Sequence, residues 1–127
     1  MPLYQNTLFT IDLAKVISVY QNPDEAAVNI RTDDQRKLEV ATDDIAAAGE
    51  LLNEIAGQWE NAVGPLLRHA THVFLPAAIY SIQVQESEVY INFRDHSVSF
   101  AAPDQGQALE LLGRLSQSWQ AATVATA

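Results

Sequence analysis

A ten-residue frame occurs twice in this chain and constrains its fold more than any other feature. In each copy a glutamate and two leucines are followed by an aliphatic residue and, four positions later, by a tryptophan. The first copy runs from Glu50 to Trp59, and the second from Glu110 to Trp119, 60 residues further along. The frame predicts that one structural unit occurs twice in the chain. In each copy we expect the tryptophan to be buried against strands as a large apolar anchor.

The apolar positions of both frames have the spacing of an amphipathic helix. They recur with alternating steps of three and four residues, which places them in one buried stripe. Asp44 and Asp104 precede the two stripes, and each carboxylate can accept hydrogen bonds from the free N–H groups of a first helical turn. We therefore predict helices over residues 44–60 and 104–121.

The segments upstream of the two frames also align with each other. Residues 2–31 match residues 65–94 at an offset of 63 positions, and after a three-residue gap the offset becomes 60. The identical pairs include Ala14/Ala77, Ser18/Ser81, Asn29/Asn92 and Arg31/Arg94. The gap falls in a predicted hairpin turn, where changes of length are tolerated best. We interpret the chain as two repeats, residues 1–63 and 64–127, that share one core as a fused pseudo-dimer.

Apolar and polar residues alternate with a period of two ahead of each helix. Residues 26–31 and 89–94 show this alternation most clearly, and turn residues such as Asn22-Pro23 separate neighbouring strands. Each repeat is therefore predicted to be a β-meander of three to four antiparallel strands, followed by one amphipathic helix that covers its apolar face. The predicted fold class is α+β, with the two copies related by a pseudo-two-fold in a single domain.

Composition limits the chemistry that is available. The 127 residues include no cysteine, which excludes disulfides, thiolate metal sites and cysteine nucleophiles. No segment resembles a signal peptide or a membrane span, so we expect a cytoplasmic protein without membrane contact. The net charge of −9 is concentrated in residues 1–63, with 11 acidic and 4 basic side chains, and it disfavours nucleic-acid binding.

Three histidines are the conventional candidates for catalysis or metal binding. His69 and His72 stand three residues apart, but in a segment that the repeat alignment predicts to be extended, and His96 lies in a predicted turn. No nucleophile motif or glycine-rich phosphate loop accompanies them. An enzyme is therefore the less favoured reading, with His72, His96 and Arg94 as its candidate residues. We expect no metal and no cofactor.

A repeated polar pair is the main candidate for an interaction site. Asn29 and Arg31 lie two residues apart, as do Asn92 and Arg94. Strand alternation places each pair on the face away from the apolar residues, and Tyr90 joins the second pair there. Because tyrosine and arginine are enriched at interface anchors, we predict that this face binds a partner.

The two arginines are expected to differ in availability. Glu39, on the neighbouring strand, is predicted to pair with Arg31 across the ladder. Ser99 takes the place of Glu39 in the second repeat, which leaves Arg94 without that partner. Arg94 is therefore the stronger candidate of the two. The alternative is that both pairs were retained from the duplication and have no role in binding.

These observations favour a non-enzymatic protein-interaction, assembly or chaperone-like module, whose acidic surface suits a basic protein partner. The alternative is a small-ligand binding domain with its pocket between the two repeats. Leu51, Leu109 and Leu111 widen the apolar bands of the helices beyond what a sheet alone covers. This predicts either a contact between the helices within the chain or a homodimer.

Overall fold

The computed structural model describes residues 2–94 and 96–126, with side chains described as far as residue 123. Over these residues it contains antiparallel β-sheets and two α-helices, which confirms the α+β class. The chain divides into two compact units, Met1–Leu75 and Pro76–Ala127. Neither helix in the described part of the chain combines the length and the apolar character needed to span a membrane.

The described residues of the first unit form seven strands and one α-helix. In chain order these are β1 (Leu3–Gln5), β2 (Thr10–Asp12), β3 (Val16–Tyr20), β4 (Ala27–Thr32), β5 (Lys37–Ala41), α1 (Ile45–Val63), β6 (Leu67–His69) and β7 (His72–Phe74). Strands β1 and β2 form a separate hairpin, whereas the main sheet has the order β5-β4-β3-β7-β6. The hairpin β6–β7 thus completes a sheet that begins before α1. The unit ends after β7 for this reason, and the repeat boundary at 63/64 stays a prediction.

Helix α1 packs its apolar stripe on one face of the main sheet. Its N-terminus is capped as predicted, because the Asp44 carboxylate accepts a hydrogen bond of 2.7 Å from the Ala47 N–H. Trp59 is fully buried among Val28, Ile30 and other core residues, which confirms its predicted role. The helix runs three residues beyond the predicted end and stops at Val63, before a glycine with a φ of 100°.

The described residues of the second unit form a three-stranded sheet and one α-helix. Its elements are β8 (Ile79–Gln85), β9 (Glu88–Phe93), β10 (Ser97–Ala101) and α2 (Gln105–Thr126), and the sheet order is β10-β9-β8. Helix α2 packs on β8 and β9. Asp104 caps it as predicted, since its carboxylate accepts a hydrogen bond of 2.8 Å from the Gln107 N–H.

Trp119 is less deeply buried than Trp59. It is partly buried, and its indole N–H donates a hydrogen bond of 3.0 Å to the carbonyl of Pro76. Pro76 opens a short 3-10 helix ahead of β8. A polar anchor of this kind keeps the indole at the margin of the core, where its N–H reaches a backbone acceptor.

The two three-stranded meanders share their ladder geometry. A register shift lies between Val16 and Ser18 of β3, and the same shift lies between Ile79 and Ser81 of β8, 63 positions later. The central strands, however, correspond at an offset of 61. The matching ladder triplets are Val19-Ile30-Leu38 and Ile82-Ile91-Val98. Two of the three missing residues are therefore lost from the first hairpin turn of the meander and one from the second.

Candidate interaction surface

The outward face of the β8–β10 meander carries Tyr90, which was predicted to contact a partner. Tyr90 is half-buried, and its hydroxyl donates a hydrogen bond of 2.8 Å to the Glu88 carboxylate, two residues back on the same strand. This bond and the charge of Glu88 raise the pKa of the Tyr90 phenol. The side chain therefore presents a neutral, partly exposed ring, held in place by a carboxylate.

Asn92 is tied into the sheet. Its amide nitrogen donates a hydrogen bond of 3.0 Å to the Ser81 hydroxyl, and its amide oxygen accepts one of 2.6 Å from the Ser97 hydroxyl. These bonds connect β9 to both of its neighbours. Asn92 is thus a cross-strand clamp on the outward face, and its amide is already engaged.

Arg94 follows the end of β9 and is exposed. Within the described residues its guanidinium has neither a hydrogen-bond acceptor nor an ion-pair partner. A free guanidinium offers a planar fork of donors that matches a carboxylate or a phosphate. Arg94 is thus exposed where the sequence predicts a partner contact, and that contact stays a prediction.

The prediction that Asn29 lies on an exposed face is wrong. Asn29 is 0% exposed, and both polar atoms of its amide lack a hydrogen-bond partner among the described residues. The hydroxyl of Ser18, on the adjacent strand, is buried and unpartnered as well. Period-two alternation predicts which side chains share a face of a strand. It does not predict whether the second face is also buried.

Arg31 also has different neighbours from those predicted. Lys37, not Glu39, lies opposite it in the β4–β5 ladder, and no ion pair joins Arg31 to Glu39 among the described side chains. The guanidinium carbon of Arg31 and the ammonium of Lys37 each lie 6.0 Å from the centroid of the Tyr20 ring. Arg31 is therefore placed against an aromatic face rather than a carboxylate.

The ladders also show that the two Asn-x-Arg pairs are not equivalent positions. Asn29 lies opposite Tyr20 and Glu39, which is the ladder position of Tyr90, opposite Gln83 and Ser99. Arg31 takes the position of Asn92. The pairing of Asn29 with Asn92 and of Arg31 with Arg94 is therefore wrong by two residues. It arises because the first turn of the second meander is two residues shorter.

Two of the histidines, His72 and His96, stack on aromatic rings. His69 and His72 face each other across the β6–β7 hairpin, as expected for an extended segment. His72 stacks on Tyr20, with ring centroids 5.2 Å apart, and burial lowers its pKa to about 4 with a further contribution from His69. His96 stacks on Phe93 at 4.7 Å. Among the described residues, no three histidine or carboxylate side chains come together to hold a metal ion.

An open groove in the first unit is a feature that the sequence did not reveal. Its volume is about 510 Å³. Its charged lining residues are Asp12, Lys15, Asp33, Asp34, Arg36 and Lys37. Asp12 caps a short 3-10 helix and Asp34 pairs with Arg36 at 3.2 Å. In sequence, the acidic pair Asp33-Asp34 is followed by the basic pair Arg36-Lys37, which is typical of a solvated turn and gives no signal of a groove.

No protein-family model, curated protein or solved structure matches this chain. The candidate surface is therefore defined by its own chemistry. It consists of an engaged amide, a carboxylate-held tyrosine and an arginine that has no partner among the described residues.

Proposed function

We propose that this protein is a non-enzymatic interaction module, and that the β9 side chains Tyr90 and Asn92 with the adjoining Arg94 bind a protein partner. The observation that carries the proposal is the exposed guanidinium of Arg94, which has no partner among the described residues. Arginine and tyrosine supply much of the binding energy in protein interfaces, because each combines a large contact area with directional hydrogen bonds.

The partner feature that fits this surface is a carboxylate next to an apolar or aromatic side chain. Arg94 can bind the carboxylate through two parallel N–H donors. The Tyr90 ring offers apolar contact area, while its hydroxyl is held by Glu88 at 2.8 Å. The remaining acidic surface of the chain favours basic groups around that contact, because complementary charges at the rim steer association.

The same reasoning separates Arg94 from Arg31. Arg31 lies against Tyr20 in the first unit and is half-buried. We therefore assign no partner contact to Asn29 or Arg31. Arg31 becomes the matched control for Arg94, since it is the same residue type near the end of a corresponding strand.

The experiment is a quantitative pull-down from cell extract with the parent chain, Arg94→Ala and Arg31→Ala. We expect Arg94→Ala to reduce recovery of the specific partner at least several-fold, with the melting temperature of the variant unchanged. Arg31→Ala should recover the partner as the parent does. If both variants recover it equally well, this surface is not the binding site.

We also propose that the chain is an internal duplication of one meander-plus-helix unit. The order of elements in Leu3–Val63 recurs from Leu67 onward, and the register shift in the first hairpin of each meander recurs 63 positions later. A bulge at matching positions supports common descent better than composition does, because bulges are conserved within families. The pseudo-two-fold relation of the two copies stays a prediction from the sequence.

The groove of the first unit favours a small-ligand function as the second candidate. Its volume of about 510 Å³ lies within the range of ligand pockets. Lys15 and Lys37 line it, and neither forms an ion pair with a described side chain. A thermal-shift screen of small organic anions tests this function. A stabilising compound whose effect is lost in Lys15→Ala supports it, and the absence of any shift argues against it.

A further inference from the structure

The outer edge of β8 is an unprotected sheet edge. In the described chain, β8 pairs with β9 on one side and has no strand on the other. The strand is seven residues long, and its sequence Ile-Tyr-Ser-Ile-Gln-Val-Gln contains no charge and no proline. Tyr80 at its start is 80% exposed. Natural proteins usually protect such edges with charges, prolines or short strands, so an uncharged edge of this length is a docking site for an extended segment.

The β3 ladder identifies the backbone groups that β8 leaves free. The Leu75 N–H donates to the Ile17 carbonyl at 2.9 Å, and the Gln21 N–H donates to the Thr71 carbonyl at 3.1 Å. Every second residue of β3, starting at Ile17, therefore forms its backbone hydrogen bonds with the hairpin β6–β7 rather than with β4. Because β8 has the same register and the same shift as β3, its outward residues are Tyr80, Ile82 and Val84.

The chain itself shows what kind of segment covers such an edge. Hairpin β6–β7 adds to β3 through β7, with Val73 opposite Val19. Hairpin β1–β2 has the same internal register as β6–β7, since Tyr4 faces Ile11 as Leu67 faces Phe74, 63 positions later. Each hairpin leads into a three-residue 3-10 helix and then into the first strand of a meander.

Strand β2 also has an open outer side. It belongs to a two-stranded sheet and pairs with β1 alone among the described strands. The residues that flank it, Phe9 and Leu13, bond toward the β1 side, as the bonds of Asn6 N–H to Phe9 O and of Leu13 N–H to Pro2 O show. Successive residues of a strand bond to opposite sides, so Thr10, which follows Phe9, directs its N–H and carbonyl away from β1. It occupies the position that Val73 has in β7.

We propose that two copies of this chain associate by strand addition, with β2 of one copy pairing antiparallel with the free edge of β8 of the other. Thr10 then lies opposite Ile82, as Val73 lies opposite Val19. Each copy carries the open β8 edge and the matching strand β2, so two reciprocal ladders close a two-fold dimer in which both β8 edges are covered. This inference is independent of the Arg94 surface, which lies elsewhere on the meander.

The oligomeric state, measured by sedimentation equilibrium from micromolar to near-millimolar concentration, tests the proposal. Thr10→Pro and Ile82→Pro each remove an outward N–H and leave the bonds to β1 or β9 in place. We expect the parent chain to dimerise and each variant to raise the dissociation constant at least tenfold. Ser99→Pro is the matched control, since Ser99 is exposed at the other edge of the same sheet, on β10, and should dimerise as the parent does.

Mixing the two proline variants distinguishes strand addition from misfolding. Thr10→Pro keeps an intact β8 edge and Ile82→Pro keeps an intact β2, so one ladder of the two can form between them. An equimolar mixture should therefore associate more strongly than either variant alone. A parent chain that stays monomeric overturns the proposal. So does a mixture that associates no better than its components, or a Ser99→Pro variant as disruptive as Ile82→Pro.

Discussion

The two tryptophans should contribute unequally to stability, although they occupy the same place in the repeated frame. Trp59 is 0% exposed, whereas Trp119 is half-buried. Truncating a fully buried tryptophan to alanine costs about 3–5 kcal/mol in lost apolar burial and residual cavity. We expect this cost for Trp59→Ala. For Trp119→Ala we expect a smaller cost, roughly 2–3 kcal/mol, because less apolar surface is buried to begin with.

Phenylalanine at each position separates packing from hydrogen bonding. The Trp59 indole N–H is buried without a hydrogen-bond partner among the described residues, so Trp59→Phe removes an unsatisfied donor whose burial costs about 1–3 kcal/mol. This gain offsets part of the cavity. Trp119→Phe instead deletes the 3.0 Å bond to Pro76, a loss of about 1 kcal/mol. The two phenylalanine variants should therefore be similarly stable, unlike the two alanine variants.

Urea denaturation followed by far-ultraviolet circular dichroism measures these differences. The chain has 2 tryptophans, so each phenylalanine variant also leaves one indole as a fluorescent reporter of the other unit. A Trp119→Ala variant as destabilised as Trp59→Ala would refute the burial argument. A loss above about 3 kcal/mol in Trp59→Phe would show that the indole N–H is satisfied in solution.

Two further predictions concern local electrostatics. The folded pKa of His72 is lowered to about 4 from an ordinary 6.5, so the fold favours its neutral form and should lose about 1–2 kcal/mol as the pH falls from 6.5 to 4, after allowance for partial exposure. His72→Phe, which keeps the stacking on Tyr20, should flatten the stability profile in that range; an unchanged profile would contradict the assignment. Asp44→Ala and Asp104→Ala each remove a helix cap and should each cost about 1 kcal/mol in urea denaturation. Asn at either position should restore most of it, and a variant as stable as the parent would mean that the cap does not form.

Local signals made the secondary structure predictable. The two aspartates before the helices, the stripe of Leu52 and its neighbours, and the alternation in β4 and β9 each depend on residues close in sequence. Such patterns determine which segments become helix or strand. They also correctly identified the start of both helices to within one residue.

The position of Asn29 shows where this reasoning stops. Identical residues at an offset of 63 aligned Asn29 with Asn92. The first turn of the second meander is two residues shorter, so the ladder partners shift by two residues while each side chain stays on the same face of the sheet. Turn length is poorly marked in sequence, because two polar turns of different length have the same composition. The predicted exposure of Asn29 was wrong for a different reason, because burial of both faces of β4 depends on packing beyond the strand itself.

The pairing of β7 with β3 could not be predicted either. It joins residues some 50 positions apart, as in the bond from the Thr71 hydroxyl to the Gln21 carbonyl. Nothing in residues 67–74 distinguishes a hairpin that stays with its own meander from one that adds to an earlier strand. The hairpin itself is a local feature, whereas its attachment is decided by which sheet edge it meets.

This attachment also sets the order in which the first unit can form during synthesis. A ribosome releases β3, β4, β5 and α1 before it releases β6 and β7, so the growing chain holds β3 with one neighbour until the hairpin after the helix emerges. Closing so long a loop costs more entropy than forming the meander turns. We therefore expect the meander and α1 to assemble early and the addition of β7 to be the late step. Until that step the nascent polypeptide carries an open strand edge, the kind of surface that chaperones shield on translating ribosomes.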